Sequence, residues 1–593
     1  MSFFAELKRR NVLRAAALYI GAAWALSQGV AQLLPVFDFP NWVIRWFVIA
    51  AMIGFPFAML FSWFYEWTPQ GIKRESEVEE TESITHETGK RLDRWIIAVL
   101  SVAVVLLLAN TFVLHKDNSA SVAAQAPDKS IAVLPFIDLS PGHDQAYFSD
   151  GMSEEILNAL AQVNDLKVAG RTSSFYFKDR NEDLRTVGKA LGVANILEGS
   201  VRKQGDKVRI TAQLIRAADD THLWSHEYDG DLSDVFKLQE DIARAITDQL
   251  KVVLVGAQKT VLARETTQST EAHQQYLRGQ YFWHQRGLDN LQVAVTSYKA
   301  AIAADPDYAD AWAGLAQTWA ILPEYYDNYL PTTGPLSDTM AQALDAAAHA
   351  LRLDPHSSAA LLARAYIRGT HQYDWAGAES DFRAVLVSSP RDATAHQWYG
   401  EILNYQRRYA EADAQLAITL KIDPLSPIAQ HLMGYSLALQ GKYDQALPFF
   451  EESLRIAPGF YFAKRWRAVT LVQLHRYDEA LAASRDFPDD LRASMEDLVH
   501  GLRDPSRSDA AAQAILARPQ STELLTPIEL SMLGHNDLAM IAIERMFQQY
   551  APFRATLYAA VQLDALHSNS RFQALMRQMN LPPAPAGAKA ASP

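Results

Sequence analysis

The chain has 593 residues, with 55 Lys and Arg against 68 Asp and Glu, for a formal charge of −13 at pH 7. That balance argues against a general nucleic-acid binder, which needs a basic surface to neutralise phosphates. The complete lack of cysteine excludes disulfide scaffolds, thiolate metal sites, iron–sulfur clusters and a cysteine nucleophile. Length predicts three or four folding units, and the mean hydropathy of −0.11 hides a very uneven distribution of apolar residues.

Residues 1–116 read as a membrane anchor with three helices, at about 15–34, 46–65 and 95–114. Each run matches the ~20 apolar residues that cross ~30 Å of hydrocarbon. Pro56 is a kink that membrane helices tolerate, and Trp42, Trp46, Trp63, Tyr65, Trp67 and Trp95 mark the interfaces. Lys8, Arg9, Arg10 and Arg14 precede the first run, and Lys73, Arg74, Lys90, Arg91 and Arg94 lie between the second and third. The positive-inside rule then places the N-terminus and the 66–94 loop in the cytoplasm and everything after 116 on the far side. That loop reads as too short and too acidic to fold alone, and residues 117–129 as a flexible linker.

From 130 to 255 the pattern is α/β. Ser130–Phe136 is a short apolar run with the character of a buried strand. Asp150–Val163 is predicted as a helix, with Ser153 and the carboxylates after it in the first turn. Leu166–Ala169 reads as a strand, and Leu184–Leu191 as a helix closed by Gly192. Asn195–Arg202, Val208–Ala217 and His222–Tyr228 read as strands, and Val235–Val252 as a helix. The segments SIAVLPFIDLS, YFSDGMSEEILNAL, RTSSFYFKDR, ILEGSVRKQGDKVRITAQLI and HLWSHEYDGDLSDVFKLQEDIARAI occur in this order. Together they resemble the TolB amino-terminal-like domain. The resemblance covers about 130–252 and implies a binding or sensory module, without catalytic residues. Such domains accompany tetratricopeptide repeats, and occur behind cyclase or DNA-binding winged-helix domains.

No chemistry-bearing constellation stands out. Ser200 and Lys203 match an S-x-x-K pattern, but on a strand approaching a hairpin, whereas that motif needs its serine at a helix start. His222 and His226 lack a third ligand at useful spacing, and Asp128 and Asp138 lack a partnered acid or nucleophile. No phosphate-binding, zinc-protease or nucleophile-elbow motif is present. The expectation is therefore no enzyme, no metal and no cofactor.

From 272 to 490 the sequence repeats. Pro355, Pro390, Pro424 and Pro458 are spaced by 35, 34 and 34 residues, the tetratricopeptide period. Six units are predicted, at 272–306, 309–355, 358–390, 393–424, 427–458 and a degraded 461–488, followed by a helical cap over 491–580 and a disordered tail over 581–593. One unit carries Tyr399, Gly400, Ala412 and Leu416 and the next Met433, Gly434, Ala446 and Phe450, small residues for close helix approach and bulky ones to fill the hole opposite. One turn away from them lie the residues predicted to line a concave groove: Tyr276, Trp283, Gln397, Glu401, Asn404, His431, Tyr435, Phe462 and Arg465. The insertion around Leu322–Leu336 adds Tyr325, Tyr326 and Tyr329 as candidate contacts.

The fold expected is three transmembrane helices, an α/β TolB-N-like domain and an all-α tetratricopeptide solenoid. The function expected is a scaffold on a bacterial inner membrane, binding protein or peptide partners in the periplasm, with self-association open and no nucleic acid. The alternative is a transmembrane sensory receptor whose output comes from a separate cytoplasmic partner.

Overall fold

The computed structural model describes residues 127–163, 165–252, 266–325, 336–518, 524–548 and 554–582, strands at 65–68 and 71–74, and helical positions 16, 19, 23, 51, 54–56 and 59. The chain divides into two units, Met1–Gln125 and Ala126–Pro593.

In the first unit the apolar runs at 15–34, 46–65 and 95–114 fall almost wholly outside the described residues. Among those described, no helix is long and apolar enough to cross a membrane. Two points of the first and second runs meet: the Tyr19 hydroxyl donates to the Ala51 carbonyl at 2.9 Å, and its ring lies 5.7 Å from Phe55. Of the 66–94 segment, two short strands are described. β1 (Tyr65–Thr68) and β2 (Gly71–Arg74) pair as an antiparallel hairpin. Tyr65, Trp67, Thr68 and Ile72 favour strand, and the connection is two residues long, so the hairpin forms despite the acidic residues that follow.

The second unit opens with an α/β region. Its strands are β3 (Ser130–Val133), β4 (Ile137–Asp138), β5 (Lys167–Val168), β6 (Asn195–Gln204), β7 (Lys207–Arg216) and β8 (Thr221–Asp231). The sheet order is β5-β3-β6-β7-β8, with β4 also on β6. β3 runs parallel to β5 and β6, while β6, β7 and β8 form an antiparallel meander. The helices are α1 (Ala146–Ala161), α2 (Arg171–Phe175), α3 (Leu184–Leu191) and α4 (Val235–Gln249). α1 and α4 cover one face through Met152, Ile156, Ile242 and Ile246. Phe177 and the α3 residues Val187 and Leu191 cover the other. β3 is buried on both sides, which is why it reads as a continuous apolar run rather than an alternating one. Gly192 takes a left-handed φ of 63° to close α3.

α1 begins at Ala146, four residues before the predicted start. Ser153 is therefore mid-helix, where its hydroxyl accepts from the Phe136 amide at 2.8 Å and donates to the Ser149 carbonyl. β4 and α2 carry no periodic signal because each is too short to show one.

Six helical hairpins follow: α5 (Thr270–Gln285) with α6 (Leu288–Ala304), α7 (Ala309–Ile321) with α8 (Leu336–Leu353), α9 (Ser358–Ile367) with α10 (Trp375–Ser388), α11 (Ala393–Tyr405) with α12 (Tyr409–Ile422), α13 (Pro427–Leu439) with α14 (Tyr443–Ile456), and α15 (Tyr461–Gln473) with α16 (Tyr477–Ala483). Side chains of Ser269, Ser357, Asp374, Asp392 and Ser426 cap helix starts. Each satisfies an amide that the helix leaves orphaned. A cap of α17 (Asp489–Arg503), α18 (Ser508–Ala517), α19 (Leu525–Met532), α20 (Asn536–Gln548), α21 (Thr556–Ala559) and α22 (Ser570–Gln578) completes the unit, with a 3₁₀ stretch at Val561–Ser568.

Candidate partner-binding groove

The first helices of the hairpins, α5, α7, α9, α11, α13 and α15, carry the residues predicted to face a groove. Three remain partly accessible: Tyr276, Gln397 and Phe462. Tyr276 nevertheless packs between repeats, 5.2 Å from the Tyr308 ring and 6.0 Å from Tyr298. The other six are each less than a tenth exposed, which corrects the expectation of an open lining at these positions. Trp283 lies beneath the Arg286 guanidinium, 3.8 Å from its ring centre. Glu401 accepts from the Tyr405 hydroxyl at 2.5 Å, and Asn404 accepts from Ser436 at 2.8 Å. His431 is enclosed by the rings of Tyr435, Phe450, Phe460 and Phe462. Arg465 faces Phe487 at 5.7 Å. Tyr325 is half-buried on the 3₁₀ turn Leu322–Tyr325, whereas Tyr326 and Tyr329 lie outside the described residues.

Packing within and between neighbouring repeats buries most of these side chains, and other parts of the chain dock on the two ends of the helix pairs. Inter-repeat and intra-repeat turns lie at opposite ends of each helix pair, and a different part of the unit docks on each set. The α/β region takes the inter-repeat turns. Arg391 donates to the Leu166 carbonyl at 2.7 Å, and the Gly170 amide donates to the Ile422 carbonyl at 2.8 Å. The Ser173 amide donates to Asp423 at 2.6 Å, and the Leu425 amide donates to the Ser173 hydroxyl at 2.8 Å. Leu425 and Ile456 join the apolar cluster that covers the outer face of the sheet. α1 also packs on α5, where a β-carbon on Gly151 would stand 2.8 Å from Leu277.

The cap takes the intra-repeat turns. Arg407 pairs with Asp564 at 2.6 Å, and the Tyr409 hydroxyl donates to the Ala559 carbonyl at 2.5 Å. The Trp375 indole donates to the Met579 carbonyl at 2.9 Å, and Asn580 donates to the Tyr373 carbonyl at 3.1 Å. Tyr435 is bonded to Thr556 at 2.5 Å, so its partner is the chain's own cap. No local sequence signal marks Thr556, Asp564 or Met579, because these contacts join residues 121 to 207 positions apart.

The α1–α5 contact is strongly polar. Glu154 is bonded to Arg171 and His284, each at 2.6 Å. Burial opposes its charge, but Arg171 and then His284 outweigh that and hold it at about 2. Burial, aided by Arg171, lowers His284 to about 4, so at neutral pH a neutral imidazole donates to an ionised carboxylate. Its neighbour Glu155 behaves oppositely: burial lifts it to about 8, despite a bond from Gln239. Burial also lowers His273, whose ring lies 3.6 Å from Glu155, to about 3.

His222 and His226 are exposed on β8. Ser200 is opposite Thr211 in the β6–β7 ladder. Among the described residues, no three His, Cys, Asp or Glu are arranged to hold a metal.

Two stretches of the chain, 276–325 and 403–459, match the tetratricopeptide repeat family model. These parts of the solenoid are tetratricopeptide repeats. Solved tetratricopeptide structures are weakly similar. A thermophilic protein of Thermus thermophilus has a TM-score of 0.29 and 17% identity, over 34% of this chain and 99% of that one. One from Parabacteroides merdae has a TM-score of 0.31 and 16% identity, over 46% and 99%. A curated relative named putative adenylate cyclase 3, from Rhizobium meliloti (strain 1021), is 33% identical over 239 residues, which is 40% of this chain and 40% of the relative. The chain thus spans about 40% of the length of the curated relative it matches. That relative bears an enzyme's name, and it overturns the expectation that the chain is no enzyme, which rested on missing motifs alone.

Proposed function

We propose that the chain is a membrane-anchored scaffold in which an α/β module and a tetratricopeptide array present one composite surface to partner proteins. The observation that carries this reading is the repeat array itself. Hairpins that cannot bury their apolar faces alone stack into a curved surface suited to extended peptides or partner helices. The resemblance to the TolB amino-terminal-like domain supports a binding role for the module. Three apolar runs with basic flanks support an anchor with everything after 116 in the periplasm. A photocrosslinker at Gln397 or Phe462 tests the scaffold: both positions should capture the same discrete proteins, and the outer position Val387, 84% exposed, should not. Crosslinks confined to the chain itself would refute it. A topology reporter fused after residue 250 tests the anchor, and cytoplasmic activity there would refute the periplasmic placement.

A second reading is favoured by the putative adenylate cyclase relative. In it the chain acts in cyclic-nucleotide synthesis, through its own activity or through a cyclase engaged as output partner of a transmembrane receptor. The assay is conversion of ATP to cyclic AMP by the purified full chain with magnesium, and by membranes with and without it. Unchanged synthesis in both would refute this reading.

A further inference from the structure

The groove floor contains a buried polar nexus that the scaffold reading leaves unused. At the end of α5, Arg286 has φ 55° and ψ −177°. This conformation is costly for a non-glycine residue and persists only where the surroundings enforce it. Its guanidinium is stacked on Trp283, yet its Nη1 is buried without a hydrogen-bond partner, as is the Trp283 indole nitrogen. Within electrostatic reach of Arg286 stands Glu324, which in turn feels the charge of Glu401. The Tyr366 hydroxyl donates to Glu324 and also bonds Glu401. Neither carboxyl has an ion-pair partner among the described residues. One turn beyond Glu401, the fully buried Asn404 leaves its Nδ2 unpartnered.

Buried donors are almost always paired, so three orphaned ones beside a carboxyl pair that has no ion-pair partner among the described residues need an explanation. A bound ligand supplies it. We infer that Arg286, Trp283, Glu324, Tyr366, Glu401 and Asn404 form a binding site for a small zwitterion of amino-acid type. The ligand's carboxylate would take the free edge of Arg286 and the Trp283 N–H, and its ammonium would lie between Glu324 and Glu401. A purely anionic ligand would meet the two carboxyls, and a purely cationic one would meet Arg286. The bipolar arrangement therefore selects a molecule carrying both charges. Burial lifts Glu324 to about 8 and Glu401 to about 7, so an ammonium between them would favour the ionised forms and release the proton that Glu324 still holds at pH 7.5.

The test uses the purified full chain in detergent. Its thermal midpoint is measured at pH 7.5 with each of the common L-amino acids and with γ-aminobutyrate, and with ethylammonium and acetate as single-charge probes. At least one zwitterion should raise the midpoint, while ethylammonium and acetate should not. Calorimetry with that zwitterion should show an apparent heat that changes with the ionisation enthalpy of the buffer, the mark of proton release. Glu401→Gln and Arg286→Gln should each weaken binding at least tenfold, and Glu411→Gln, on the exposed outer helix, should not. The assignment is overturned if no zwitterion shifts the midpoint, if ethylammonium or acetate binds as well as the zwitterion, or if the heat is independent of buffer. All three readouts use the unaltered chain, so they decide even where a variant fails to fold.

Discussion

Replacing Asp423 by Ala should undock α2 from the repeats without unfolding them. Asp423 is only 5% exposed and accepts from the Ser173 amide at 2.6 Å. A hydrogen bond to a charged group contributes about 1.5–3 kcal/mol, and a buried N–H left unpaired costs about 1–3 kcal/mol. Burial raises the Asp423 carboxyl above its usual range, against the bonds from Ser173 and Thr172, so part of that gain is already spent on desolvation. The net local loss is then about 2–3 kcal/mol, and amide exchange across α2 should quicken by about thirty- to a hundred-and-sixtyfold. Hydrogen exchange of the full chain followed by mass spectrometry resolves this. Peptides over 167–178 should lose protection, while those over α21 and α22 should not change. Unchanged exchange at 167–178, or an equal rise throughout the repeats, would refute the claim that Asp423 is a local clamp.

Glu155, raised to about 8 by burial, binds its proton more tightly when folded than its ordinary value of 4.5 allows. Its contribution is therefore complete below pH 4.5 and is lost as pH rises to about 8. Glu155→Gln should raise the melting temperature at pH 8.5 and leave it nearly unchanged at pH 4.5; a gain at both would sink this account. Glu154 has the opposite sign. Held at about 2, it contributes fully above pH 4.5 and loses that contribution as pH falls towards 2, so Glu154→Gln should flatten the acid limb of the stability profile. Gly314→Ala would place a β-carbon 2.5 Å from the Tyr298 ring, and should cost about 1–3 kcal/mol in denaturant titration by overpacking. Arg407→Ala should free the cap by leaving half-buried Asp564 with only His567, 3.9 Å away, seen as faster exchange over 556–578 and stronger crosslinking from Tyr435.

Much of the second unit was legible because its signals are local. The 34-residue period, its small and bulky packing positions such as Gly400, Leu416, Gly434 and Phe450, and the apolar run of β3 all follow from backbone periodicity and burial on known faces. Leu184–Leu191 was bounded correctly because Gly192 must adopt a left-handed φ. The start of α1 was misplaced because Ser153 followed by Glu154 and Glu155 mimics a capped first turn. Those groups instead serve contacts distant in sequence, with Phe136, His284 and Gln239.

The groove was legible only as a helix face. Repeat spacing assigned one side of α11 and α13 to a groove, and there Tyr435 and Glu401 are buried. Whether that face met solvent depended on Thr556 and Tyr366, and no periodicity reports contacts between such distant segments. By itself the sequence determined the repeat architecture, the α/β region and the charge balance, because these follow from patterns a few residues long. The tertiary structure decided that the α/β region and the cap brace opposite ends of the same helices. It also decided which buried donors were left without partners, since pairing depends on distances that only the folded chain sets.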